Sequence, residues 1–156
     1  MVGREIAGYI GSFGPAMILC VIVVEEVYDG ASTTRIVWLL LWQPMSIILN
    51  TWLKEVINEE RPPGGEHINM IEEVIDIGSK GMPSGHAQMV ASALTFVLLS
   101  GSNATLAFIT GLQSVITIWQ RLAYKKHTIE QVMAGLFVGA IYTMLFLSYY
   151  TSLKQT

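Results

Sequence analysis

Three short stretches of this chain combine residue types and spacings that can do chemistry. The first is Gly81-Met82-Pro83-Ser84-Gly85-His86, set between a long polar connection and an apolar run that begins at Ala87. Proline followed by small residues is how a helix opens. The backbone N–H groups of a helix start, with the positive end of its dipole, form a site for an anion, and His86 in that first turn stands beside whatever they hold. The plain alternative is a proline-glycine turn followed by a surface histidine. The second stretch pairs Lys54 with Arg61-Pro62. On a helix a spacing of seven puts both cations on one face, two turns apart, and Pro62 would stop the helix after Arg61. The alternative for these two is ordinary snorkelling at a helix end. The third holds Arg121, His127 and Gln131. A spacing of four lets Gln131 accept a hydrogen bond from one imidazole nitrogen of His127 and fix the tautomer, while the other nitrogen faces a substrate. Arg121 adds a two-pronged donor suited to phosphate; with Lys125 and Lys126 beside it, a positive cap on a helix is the competing reading.

The elements that must position these residues are membrane helices. Of 156 residues, 52% are hydrophobic and only 13% charged, about half the charged share of an ordinary soluble domain. Apolar runs at Ile6–Val24, Ile36–Leu53, Ala87–Leu99, Ala104–Trp119 and Ile129–Tyr149 give about five spans, each near the roughly 20 residues a bilayer needs. The expected architecture is an all-α, polytopic transmembrane helix bundle. It forms a single domain over 1–156, with the motif-bearing core at about 36–149. Glu25, Glu26 and Asp29 close the first run at a membrane surface. Pro44 is expected to kink the second, Trp38, Trp42 and Trp52 to mark its interfaces, and Gln43 and Asn50 to face other helices. Gly135 and Gly139, four apart, suit close helix packing. Between Lys54 and Met82 the composition turns aqueous and acidic, with a short surface helix expected over Ile68–Ile77. The net charge of -3 and the lack of a basic stripe exclude nucleic acid as a partner. Cys20, the only cysteine, allows no intrachain disulfide and is assigned to packing. Three scattered histidines make no metal site, and His67 reads as a solvated loop residue.

Five spans impose a convergence. The N-terminus and the 54–86 and 120–127 connections fall on one membrane face, and the 28–35 and 101–103 turns fall on the other. All three stretches therefore meet at one interface.

Taken together, Lys54-x6-Arg61-Pro62, Pro83-Ser84-Gly85-His86 and Arg121-x5-His127 resemble the type 2 phosphatidic acid phosphatase superfamily of membrane lipid phosphatases, in order and separated by apolar runs. The resemblance implies phosphoryl transfer with no metal or other cofactor. His127 is implied as the nucleophile, giving a phosphohistidine, and His86 as the acid and then the base. Lys54, Arg61, Arg121, Ser84 and the backbone N–H groups of Ser84 and Gly85 are implied to bind phosphate. Partners are the bilayer and a phosphorylated lipid.

Two positions depart from the superfamily pattern, Gln120 in place of serine and Gln131 in place of aspartate. An amide orients the imidazole without charge, and in serine-protease triads the corresponding exchange costs about 10⁴ in rate. Glu130, three residues from His127, is a candidate substitute. Gly81–His86 with Gln88, Arg61-Pro62-Pro63-Gly64-Gly65 and His127-Thr128-Ile129-Glu130-Gln131-Val132 resemble the dolichyl pyrophosphate phosphatase branch, where glutamine at this place is usual; Gly85 departs from that branch's serine. The branch implies hydrolysis of dolichyl diphosphate, with a lumenal site in the endoplasmic reticulum. The alternatives are a broader lipid phosphate phosphatase acting on phosphatidate, sphingoid-base phosphate or undecaprenyl diphosphate, and a catalytically silent protein that binds lipid phosphates. Counting cations by the positive-inside tendency would instead put the motif face in the cytoplasm.

Overall fold

A computed structural model of the chain describes residues 2–68 and 80–153. Five helices, and no strand among the described residues, make up the fold: α1 Val2–Tyr28, α2 Thr33–Ile57, α3 Gly85–Ser100, α4 Ala104–Ala123 and α5 Ile129–Leu153. The surface helix expected over Ile68–Ile77 lies, beyond Ile68, outside the described residues. Three helices are long and apolar enough to cross a membrane, at Gly3–Tyr28, Thr33–Ile57 and Ile129–Tyr150, and Gly85–Ser100 is a shorter apolar helix. The fifth, α4, carries Gln113, Gln120 and Arg121, and its polar face turns inward.

Side chains of Ser32, Ser84 and Asn103 cap α2, α3 and α4 by accepting N–H groups three residues on, replacing donors that a helix start leaves unpaired. Gly101 ends α3 in the left-handed conformation, with φ 79°, which glycine adopts without steric cost. Pro15 lies inside α1 and removes the donor that would serve the carbonyl of Gly11. The hydroxyl of Thr117 on α4 donates to that carbonyl at 3.1 Å, so the helix defect becomes an interhelical bond.

The central helix is α3, which packs on all four others, while α1 lies mainly along α4. Ile18, Ile22, Leu39, Trp42, Phe96 and Val97 form the apolar core. Outward faces are apolar too, with Met17, Val24, Ile48, Phe137 and Leu145 exposed, whereas Gln43, Asn50, Gln88, Ser92 and Thr143 are buried. Apolar residues outside and polar ones inside are what lipid demands, because interior polar groups must bond to each other. The amide of Gln88 donates to Ser46 Oγ at 2.9 Å and to its carbonyl at 2.8 Å. Trp42 Nε1 donates to Thr143 Oγ1 at 3.2 Å, and Ser92 Oγ to the Gly139 carbonyl at 3.2 Å. Trp42 is thus a core residue rather than an interfacial one, and Cys20 is exposed rather than packed.

The two ends of the bundle are as the count of spans requires. At one, Arg4 pairs with Glu66 at 3.0 Å, its guanidinium lies over the Tyr124 ring, and Tyr124 O–H donates to the Arg4 carbonyl at 2.9 Å. At the other, Asn103 donates to Glu25 and Arg35 pairs with Glu26.

Candidate active site

At the Arg4 end a cavity of about 510 Å³ opens between α2 and α3. It is lined by Lys54, Arg61, Gly85, His86 and His127, and by Ser46, Ile47 and Met89 deeper in. Ser46 is eight residues before Lys54, so the cavity runs along α2 for about 12 Å. Cations and imidazoles sit at its mouth and apolar side chains below them, a shape that fits a charged head on an apolar tail.

His127 lies in the connection between α4 and α5 and is almost fully buried. Its Nδ1 is 3.1 Å from Gln131 Oε1. The amide has only one way to sit: the N–H of Thr128 donates to Oε1 at 3.3 Å. On its other side, Nε2 donates to Glu59 Oε1 at 2.7 Å and to the Glu60 carbonyl at 2.8 Å. Oε1 therefore accepts from the imidazole, the proton is on Nδ1, and Nε2 carries the lone pair. Burial pushes the pKa of His127 down to about 2, aided by the charges of Arg61, Lys54 and Arg121, with the Gln131 bond acting the other way. A neutral imidazole with its lone pair toward a cation-lined cavity has what a nucleophile needs.

His86 has the opposite tautomer. Arg121 can only donate, so its Nη1, at 3.3 Å from His86 Nδ1, fixes that nitrogen as an acceptor. The proton is then on Nε2, which donates to the Ser12 carbonyl of α1 at 3.1 Å. Gln120 accepts from Arg121 Nε and so holds the guanidinium in place.

Sequence expectation and structure differ at four points. Lys54 and Arg61 do not share a helical face. Helix α2 ends at Ile57, where Asn58 turns left-handed (φ 53°) and donates to the Lys54 carbonyl, and the chain folds back to bring Arg61 to the same cavity. Lys54 Nζ donates to the Lys80 carbonyl. Second, Pro83 precedes the cap of α3 rather than opening the helix, and it follows a cis peptide bond. Third, Ser84 is buried behind the cavity, with its hydroxyl used as the helix cap. Its N–H donates to the Gln131 carbonyl at 3.0 Å, so neither its N–H nor its hydroxyl faces the cavity. Fourth, Arg121 is fully buried and lies behind His86 rather than on the cavity wall. Glu130 is exposed and does not replace the missing aspartate. His67 accepts from Lys126 Nζ at 2.7 Å, outside the site.

Sequence reasoning missed Glu59 and Ser12. Glu59 was hidden within an acidic run, although an amide at 131 called for a carboxylate elsewhere. Ser12 contributes only a carbonyl oxygen, for which no sequence signal exists. Asn50 donates to the Pro83 carbonyl at 3.3 Å and to Gln88 Oε1 at 2.8 Å. A Cβ at position 85 would come within 3.1 Å of its Oδ1, so the departure from serine at Gly85 leaves room for this amide.

An all-helical membrane bundle with one buried and one part-buried histidine above a cation-lined cavity defines the class of protein. Residues 35–155 match the PAP2 superfamily, and the chain belongs to it. The chloroplastic lipid phosphate phosphatases epsilon 2 and epsilon 1 of Arabidopsis thaliana are 32% and 29% identical to it over 136 residues. Those matches take in 81% and 82% of this chain but 42% and 44% of the relatives, so the chain spans less than half their length. The crystal structure of a transmembrane PAP2-type phosphatidylglycerolphosphate phosphatase from Bacillus subtilis superposes with a TM-score of 0.70. It does so over 96% of this chain and 77% of its own, at 22% identity, a likeness of fold. The chain is accordingly a multi-pass membrane protein.

Proposed function

We propose that this chain is a lipid phosphatase that hydrolyses a polyprenyl diphosphate, dolichyl diphosphate first among them, to the monophosphate and inorganic phosphate. The observation that carries the chemistry is the pair of opposite tautomers, His127 with a lone pair on Nε2 and His86 with a proton on Nε2, on one cavity with Lys54 and Arg61. Nε2 of His127 attacks the terminal phosphorus, and the bond from that phosphorus to the bridging oxygen breaks. With the anionic substrate bound, His86 leaves Arg121 and Ser12 and takes up a second proton at Nδ1; as an imidazolium it gives its Nε2 proton to the leaving lipid monophosphate and returns to the neutral ring. His86 then removes a proton from water, the hydroxide attacks phosphorus, the P–N bond breaks, and phosphate leaves. Lys54, Arg61 and the first-turn N–H groups of α3 stabilise the non-bridging oxygens as charge builds. Cations in the site do what a metal would do elsewhere, so turnover needs none.

The choice of dolichyl diphosphate rests on the Gly81–Gln88 and His127–Val132 motifs. It carries with it a site facing the lumen of the endoplasmic reticulum and a place in protein glycosylation. A broader lipid phosphate phosphatase is the second reading, favoured by the names of the relatives, which are chloroplastic and bacterial.

Purified protein offered dolichyl diphosphate, undecaprenyl diphosphate, phosphatidate and phosphatidylglycerolphosphate separates the two. The first reading expects the polyprenyl diphosphates to have the highest kcat/KM, with turnover resistant to chelators. Label from the terminal phosphate should appear on the protein in acid-labile form and be absent from His127→Ala. Release of phosphate from none of these lipids would overturn both readings. Labelling of a cysteine placed at Glu66 reports which side the site faces.

A further inference from the structure

Glu59 belongs to none of the three motifs, yet its carboxylate is 2.7 Å from the amide nitrogen of Gln131, whose oxygen is 3.1 Å from His127 Nδ1. We propose that Glu59 is a positioning residue for the nucleophile, delivering its negative charge to His127 through the side-chain amide of Gln131. This rests on the reading of His127 as the attacking base.

The physical need is specific. When Nε2 bonds to phosphorus, the imidazole keeps its Nδ1 proton and becomes a cation. An amide oxygen can hold that proton but brings no charge to oppose the one that develops. A carboxylate bonded to the far end of the same amide polarises it. Electron density moves from nitrogen toward Oε1, and the bond to Nδ1–H strengthens as the ring becomes positive. No proton leaves either bond. The carboxylate that the superfamily pattern places directly on the histidine is here one residue further out, on the turn after α2.

The surroundings are shaped for this chain of bonds. The N–H of Gly81 donates to the Glu59 carbonyl at 2.7 Å, which pins the backbone of the turn. A Cβ at position 81 would collide with the side-chain amide of Gln131, so glycine leaves the amide its space. The neighbouring carboxylate, Glu60, pairs instead with Lys80, leaving Glu59 as the acid on Gln131. Opposing it are Lys54, Arg61 and Arg121, the cations that disfavour charge on the ring. Outer partners of metal-bound histidines are typically worth about 10- to 100-fold, and the same orienting role sets the scale here. Glu59 is exposed to water, which puts its share near the low end.

The test is a charge swap. Glu59→Gln keeps an oxygen that can accept from Gln131 but removes the charge. The rate of phosphoenzyme formation should fall about tenfold, with KM and vanadate inhibition changed less than threefold. Gln131→Glu alone sets two carboxylates against each other and should be worse. Combining the two puts the carboxylate on His127 and the amide outside, and should recover at least tenfold over Gln131→Glu. A readout independent of turnover is the Nδ1–H proton resonance of His127 in substrate-free protein in detergent, which Glu59→Gln should move upfield. Wild-type rates and an unmoved resonance in Glu59→Gln, or single effects that simply add in the double variant, would overturn the proposal. If wild-type protein turns over no lipid phosphate but the resonance responds, the relay stands and the functional reading falls.

Discussion

Gly135 offers the sharpest test of how packing sets the chemistry. It faces α3 where a Cβ would fall about 1 Å short of the 3.4 Å of ordinary contact with the Ser84 carbonyl, and 3.1 Å from Ala87 Cβ. The obstacle is backbone, so no rotamer relieves it, and Gly135→Ala must push α5 from α3 by about 1 Å. That displacement acts on the bond from Ser84 N–H to the Gln131 carbonyl, 3.0 Å long, and would stretch it beyond hydrogen-bonding distance. His127 and Gln131 would then shift relative to His86 and the start of α3. A misplacement of about 1 Å costs about 10² in rate, and overpacking costs about 1–3 kcal/mol in stability. The assay is kcat on detergent-purified protein, alongside helix content and thermal unfolding. Gly111→Ala, where a Cβ meets nothing within 4 Å, is the control and should match the unaltered protein. A folded Gly135→Ala variant with kcat within twofold of the control would refute the link from helix spacing to the histidine pair.

Arg121→Lys cannot donate to Gln120 and His86 in the geometry of the guanidinium fork. Because Arg121 lies behind His86, kcat should drop at least about tenfold while vanadate affinity moves less than threefold; an equal loss in vanadate binding would place Arg121 on the phosphate. Acid should destabilise the fold through His127. Below pH 6.5 the unfolded chain binds a proton that the folded site refuses until about pH 2, so stability falls as pH drops through that window, by up to about 1.4 kcal/mol per unit. Unfolding in detergent from pH 7 to 4 should show a shallower slope in His127→Asn, and equal slopes would refute the burial argument.

Much of the fold was legible because lipid leaves few options. Apolar runs near the length of a bilayer must be helices, and their count puts the three motifs on one side. The pairing of His127 with Gln131 was legible too, since a spacing of four brings side chains together at a helix start. Arg61 was misplaced because helical spacing was extended past Asn58, which can adopt the left-handed conformation that ends a helix. Ser84 and Arg121, which the resemblance implies bind phosphate, have other partners here that residue type does not announce: the Ser84 hydroxyl caps α3 and the Arg121 guanidinium lies against His86 Nδ1. Trp42 was put at an interface by its chemistry, although its indole N–H finds a partner in Thr143 within the bundle.

The two histidines hold opposite tautomers, and the cause lies in what each ring faces away from the cavity. Behind His127 is an amide oxygen, which forces the proton to Nδ1 and leaves the lone pair on Nε2. Behind His86 is a guanidinium, which forces Nδ1 to accept and puts the proton on Nε2. Neither arrangement could be exchanged for the other without reversing a charged donor and a neutral acceptor. Lys54 and Arg61 add a second condition, because their positive charge, after burial, disfavours a proton on the His127 ring. A phosphate entering the cavity cancels that field and makes an imidazolium tolerable at the moment the mechanism requires one. On the proposed reading the site is thus switched on by the charge of its own substrate. Glu59, on the far side of the Gln131 amide, assists the ring that must become positive first.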